Sequence, residues 1–119
     1  MNEQKDFAMI GDIRIADTVI ATIAAIAISE IDGVTLASSA SGADLRELIG
    51  KGKLNRGIKV QFSEEGITLD IQLQVRFGVV VSDAAKAVQD AVVNAVESMT
   101  SLRVLGVNVC VVGVSSETK

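Results

Sequence analysis

The chain has 119 residues, 49% of them hydrophobic, with 11 basic and 15 acidic side chains and a net charge of −4. That length fits one domain with a substantial core, and the pI of about 4.7 argues against general affinity for nucleic acid or anionic lipid. Histidine, tryptophan and tyrosine are absent and aromatics make up 3%, which removes the commonest general base and metal ligand and leaves few rings on which bases stack.

The opening residues, Met1-Asn2-Glu3-Gln4-Lys5-Asp6, are polar and mixed in charge, unlike a signal peptide. Residues 1–7 and 116–119 are expected to be disordered tails around a single α+β domain over 8–115. Asp12 to Ile15 alternates weakly, as a short strand does. Asp17 is placed to cap a helix running from Thr18 to Glu30, and Asp32-Gly33 turns the chain.

That first helix carries no charge between Thr18 and Ser29. Val19, Ile20, Ile23, Ile26, Ala27 and Ile31 form a broad apolar arc suited to a sheet. The other side presents Ala21, Ala25 and Ser29 at i, i+4 and i+8, with Thr22 and Ile28 beside them. A wet helix face normally bears Lys or Glu. This side is therefore expected to be covered, by the other helix, by a loop or by a second chain. In the last case Ala21, Ala25, Ile28 and Ser29 form a self-association surface, because uncharged exposed patches tend to be interfaces.

Val34 to Leu36 reads as a short strand, Ser38 to Gly42 as a loop, and Ala43 to Ile49 as a helical turn or two. Gly50 to Gly57 is glycine-rich and basic. Lys51, Lys53 and Arg56 make it the candidate loop for an anionic partner. It lacks the spacing of a phosphate-binding P-loop, and a solvated loop is the competing reading.

The clearest pattern follows. Ile58, Val60 and Phe62 alternate with polar residues, Glu64-Glu65-Gly66 turns the chain, and Ile67, Leu69, Ile71, Leu73, Val75 and Phe77 alternate again. A period of two over that length predicts a strand with one buried and one wet face. Ser82 is placed to cap a second helix, with Asp83 in its first turn. Ala84, Ala85, Val88, Ala91, Val92, Ala95, Val96 and Met99 form its apolar stripe, with Lys86, Gln89, Asp90, Asn94 and Glu97 opposite. Arg103 to Val114, apolar on both faces in places, reads as a central strand.

The expected fold is α+β: a small mixed β-sheet with two main helices packed on one face, in the order β-α-β-β-β-α-β. The lone Cys110 excludes an internal disulfide and fits a reducing compartment. It has no histidine partner to activate it, so it reads as a packed strand residue. Ser38, Ser39 and Ser41 have no base, and Glu64-Glu65 lacks the spaced oxygens of a cation loop. The residues point to a protein that binds or assembles, with no catalytic residue, metal or cofactor.

Gly11, Ile13 and Ile15, then Val19-Ile20-Ala21 with Ile23-Ala24, then Gly33-Val34, follow an order found in a known family. So do Gly57-Ile58-Lys59-Val60, Glu64-Glu65-Gly66, Val88-Gln89, Val92, Ala95-Val96, Met99-Thr100, Leu102, Val104, Val107-Asn108-Val109 and Val112-Gly113-Val114. The set, over roughly residues 10–115, resembles the alkaline shock proteins, envelope stress response proteins of Gram-positive-type bacteria. It departs in having Val80 where the family pattern has proline.

The resemblance implies a non-enzymatic, self-associating protein of the cytoplasm, held at the inner face of the membrane by a membrane-anchored partner. Its expected role is that of an interaction or scaffold protein in envelope stress response or membrane homeostasis. The alternative is a small binding module for RNA or an anionic metabolite, using the Gly50–Gly57 loop.

Overall fold

A computed structural model describes residues 7–37 and 57–116. The expected helical turns over 43–49 and the basic loop, Gly57 apart, lie outside these residues. The first described strand was not expected: Phe7–Ile10 (β1) pairs antiparallel with Ile13–Ala16 (β2). Gly11 and Asp12 connect them, and Gly11 takes φ +59, the left-handed conformation that two-residue hairpin turns require. The tail expected over 1–7 thus overlaps a hairpin at its last residue.

Helix α1 covers Asp17–Ser29. Its N-cap is Ala16, without a side-chain cap, so Asp17 is the first helical residue and acts through its charge beside the helix N-terminus. Strand β3 (Val34–Leu36) follows, then β4 (Ile58–Phe62) and β5 (Ile67–Arg76). Helix α2 runs over Val81–Thr100 and strand β6 over Val104–Ser115. Val80, not Ser82, is the N-cap of α2, and Asp83 lies in the first turn as expected.

The main sheet is mixed, with β5 at its centre. Both the N–H and the C=O of Gln72 point to the same neighbouring edge: the N–H donates to Gly57 O at 2.8 Å and the C=O accepts from Ala37 N at 2.9 Å. Strands β4 and β3 therefore lie end to end along one side of β5, both antiparallel to it. Strand β6 runs parallel to β5 on the other side, from Ile67↔Val104 to Arg76↔Ser115. Parallel neighbours need a crossover, and α2 supplies it. Among the described strands β6 pairs with β5 alone, so the strand expected at the centre is an edge. Its apolar residues on both faces suggested burial on both faces, yet no described element covers the second one.

The core lies between the sheet and the two helices. Ile67, Leu69, Ile71, Leu73 and Val75 all point into it and are fully buried. Each contributes about 1.5–3 kcal/mol by leaving water. Helix α2 sends Val88, Val92 and Val96 into the same core, in an i, i+4 row that begins at the buried Ala84. Two expected core residues fall outside it: Phe77, past the end of β5, is 76% exposed, and Met99, on the outer flank of α2, is 70% exposed.

Helix α1 buries Ile20 and Ile23 of the arc expected to face the sheet together with Ala21, Ala25 and Ile28 of the opposite side. Ile20, Ala21, Ile23, Ala24, Ala25 and Ile28 are in the core, whereas Val19 and Ile26 are exposed. The small residues Ala21, Ala24 and Ala25 suit an element that packs against α2 as well as β3 and β4: short side chains let backbones approach on two sides.

Candidate interaction surfaces

Four features of the described surface could engage a ligand or partner. The first is the open face of the sheet, opposite the helices. There Asp70 on β5 accepts hydrogen bonds from Gln61 Nε2 on β4 and Asn108 Nδ2 on β6, each at 2.8 Å. Period-two alternation places all three on this face, and the register aligns Asp70 with Asn108. The carboxylate ties three strands together. The two amide donors hold the carboxylate in position on this face.

The second feature is a cleft of about 600 Å³ between the β1–β2 hairpin and the β4–β5 turn. Met9, Ile10, Phe62 and Leu102 line it, with Glu64, Glu65 and Arg103 also on its wall. The turn is self-contained: the Ser63 hydroxyl donates to Gly66 O at 3.1 Å and accepts from Glu65 N at 3.3 Å. Gly66 is required there because a Cβ would overlap the Arg103 carbonyl, which accepts from Ile67 N at 2.9 Å.

The third is a groove of about 400 Å³ between α1 and α2, lined by Ile23, Ile26, Ala27, Ala91, Ala95 and Met99 among others. Ile26 and Met99 are both exposed beside it.

The fourth is the outer edge of β6. From Val104 to Ser116 the chain has no charged residue and no proline, the two devices that commonly guard a free edge. Cys110 sits on this strand and is exposed, not packed inside as its sequence context suggested.

At the end of the sheet near β3, the Arg76 guanidinium donates to both oxygens of Asp32, at 3.2 and 3.0 Å. This hydrogen bonding, followed by charge attraction, holds the Asp32 carboxyl below its ordinary range and raises Arg76. The backbone repeats the link through Arg76 N and Gly33 O at 2.8 Å. The pair fastens the α1–β3 turn to β5.

Of the residues expected to form a self-association surface, Ala21, Ala25 and Ile28 are each about 1% exposed and belong to the chain's own core; only Ser29 is exposed. The uncharged flank is covered from within, so these three are not a surface. Lys51, Lys53 and Arg56 lie outside the described residues. Sequence reasoning did not single out the β6 edge, although its signal was present: twelve residues with no charge.

The molecule is therefore a small α+β domain whose mixed sheet is covered on one face by two helices and carries binding features but no assembled acid–base pair among its described residues. A sequence profile of the alkaline shock protein 23 family, of cell envelope-related function, matches residues 5–116, and the chain belongs to that family. It is 36% identical over 110 residues to the uncharacterized protein YqhY of Bacillus subtilis (strain 168), covering 92% of this chain and 82% of that one. It is 30% identical over 109 residues to the uncharacterized protein Spy1535 of Streptococcus pyogenes serotype M6, with 91% and 82% covered. It is also 34% identical over 106 residues to the uncharacterized protein YloU of Bacillus subtilis (strain 168), with 87% and 88% covered. No solved structure matches the chain significantly. No described helix is long and apolar enough to cross a membrane.

Proposed function

We propose that this chain is a non-enzymatic interaction protein of the cell envelope that works by self-association and by docking to a partner. The observation that carries the reading is the grouping of large apolar side chains at the surface. Ile26 and Met99 flank the groove between the helices, while Phe77, Val80 and Val114 are exposed near the C-terminal ends of β5 and β6. Contiguous exposed apolar area on a small domain marks a contact surface. Such groups bind by burial and offer nothing to a reaction.

Family membership supports the setting, and the envelope role supports a cytoplasmic site at the membrane's inner face through a membrane-anchored protein. The test is solution mass against concentration by sedimentation equilibrium, from about 1 µM to 1 mM, where assembly has its usual affinities. The expected result is a mass rising above 12.4 kDa. A mass fixed at that value over the whole range refutes the self-association half. The docking half is tested by pull-down from membrane extracts with wild type and Met99→Lys. Equal capture of the same proteins by both removes the helix groove as the docking surface.

A further inference from the structure

Strand β6 offers a specific way for two copies to join. In a strand, the N–H and C=O of each residue point to one side, and successive residues alternate. On β5, Gln72 bonds toward β3 and β4, whereas the N–H groups of Ile67 and Phe77 donate to Arg103 and Ser115, next to and within β6. Odd-numbered residues of β5 thus serve β6. In parallel pairing their aligned partners Val107, Val109 and Val111 turn their own N–H and C=O groups away from β5, to the outer edge.

Two observations narrow this edge. The Val107 carbonyl is already taken, accepting from Gln89 Nε2 of α2 at 2.9 Å. This bond agrees with a Val107 carbonyl that points away from β5, while the Val107 side chain is buried in the core. The register shift between Leu73 and Gln74 breaks the alternation after Val111. What remains regular and unpartnered among the described residues is the pair Val109 and Val111, on either side of Cys110.

Resting on the self-association reading, we propose that two copies of this chain pair through β6, antiparallel about a twofold axis at Cys110, continuing the sheet from one molecule into the next. Val109 of each copy exchanges both backbone hydrogen bonds with Val111 of the other. Twofold pairing of one strand with itself is closed and self-complementary. The occupant is a second copy because this strand carries no charge: two identical β6 strands meet without opposing like charges. A partner strand bearing the charges typical of a protected edge would leave them facing valines.

The register makes Cys110 a built-in reporter. The two cysteines stand opposite each other as a non-hydrogen-bonded pair, with Cα atoms about 4.5 Å apart, within the span of about 4.4–6.8 Å that a disulfide bridges. The experiment treats the full chain, at a concentration where its mass exceeds the monomer, with diamide. Diamide takes up the two protons and two electrons that two thiols release on forming one disulfide. Alongside, Cys110→Lys and Cys110→Ser are compared by sedimentation, and amide exchange at Val109 and Val111 is followed against concentration. Cys110 is exposed, so both variants should fold, which circular dichroism checks.

The expected result is a disulfide-linked dimer in high yield within minutes, formed at least tenfold more slowly by the chain unfolded in urea. Cys110→Lys should weaken association at least tenfold at low salt, with Cys110→Ser within twofold of wild type. The Val109 and Val111 amides should become protected as concentration rises. Association without the cross-link, without the lysine effect or without the new protection overturns the β6 pairing and leaves the broader reading standing. A monomer at every concentration overturns both.

Discussion

Ala25→Glu separates a buried helix flank from an exposed one. Ala25 is 1% exposed and lies in the core with Ile28, Leu36 and Ile58. A glutamate there must either bury its charge or take up a proton. Burial that raises the carboxyl's folded-state pKa by about 3–5 units carries it from about 4.3 to above 7, so the group is protonated at pH 7, and taking up that proton costs about 4 kcal/mol. Forcing its extra atoms into a filled core adds about 1–3 kcal/mol. A domain of 119 residues has about 6–18 kcal/mol of stability in all, so the variant should lose roughly a third of it or more.

The assay is urea unfolding followed by circular dichroism, with Ser29→Glu as the exposed control. Ser29→Glu should stay within about 0.5 kcal/mol of wild type. The Ala25→Glu deficit should shrink as pH falls toward 4. A carboxyl whose folded pKa is raised favours folding below its unfolded pKa and opposes it as pH rises. An Ala25→Glu midpoint equal to wild type, combined with loss of oligomers, would refute the reasoning. It would mean that this flank of α1 faces outward.

Thr100 is a buried polar residue that ends α2: its hydroxyl donates to Val96 O at 2.7 Å and accepts from Leu102 N at 3.1 Å. Thr100→Val leaves that N–H unpaired and should cost about 1–3 kcal/mol, or roughly 4 °C of melting temperature per kcal/mol; no change in calorimetry would mean that water reaches Leu102. Gly66→Ala should cost about 1–3 kcal/mol and raise the amide exchange rate of Ile67, since its Cβ displaces the Arg103 carbonyl. Unaltered exchange there would contradict the close approach. The Asp32 carboxyl, held below its ordinary value of 3.8, favours folding above that value and loses this contribution as pH falls through the lowered one. Asp32→Asn should therefore be less stable than wild type at pH 6 and converge with it in strong acid, and parallel stability curves from pH 6 to 2 would show that the Arg76 pair contributes nothing.

The strands β4 and β5 were legible because alternation over so many residues allows one conformation. Both main helices were legible in extent to within two residues. Their caps were not: Asp17 and Ser82 have capping side chains but sit one or two positions inside the helices, because Ala16 and Val80 already take the extended conformation at the boundary. The candidate site was read less well. Ala21, Ala25 and Ile28 were correctly marked as an uncharged flank needing cover, and the cover proved to be the chain's own core.

Composition and period thus determined the main element types and the absence of histidine chemistry, and the order of particular residues carried the resemblance to the family, since each follows from residue identity alone. Tertiary structure decided which of two apolar flanks of α1 faces inward, because both satisfy the same helical period and only packing between the sheet and α2 separates them. It also decided that β6 is an edge. A run such as Val107-Asn108-Val109-Cys110-Val111-Val112 looks the same whether one neighbour or two lie beside it. Pairing is a property of the other strands: β3 and β4 share one side of β5, which leaves β6 with β5 as its one partner among the described strands.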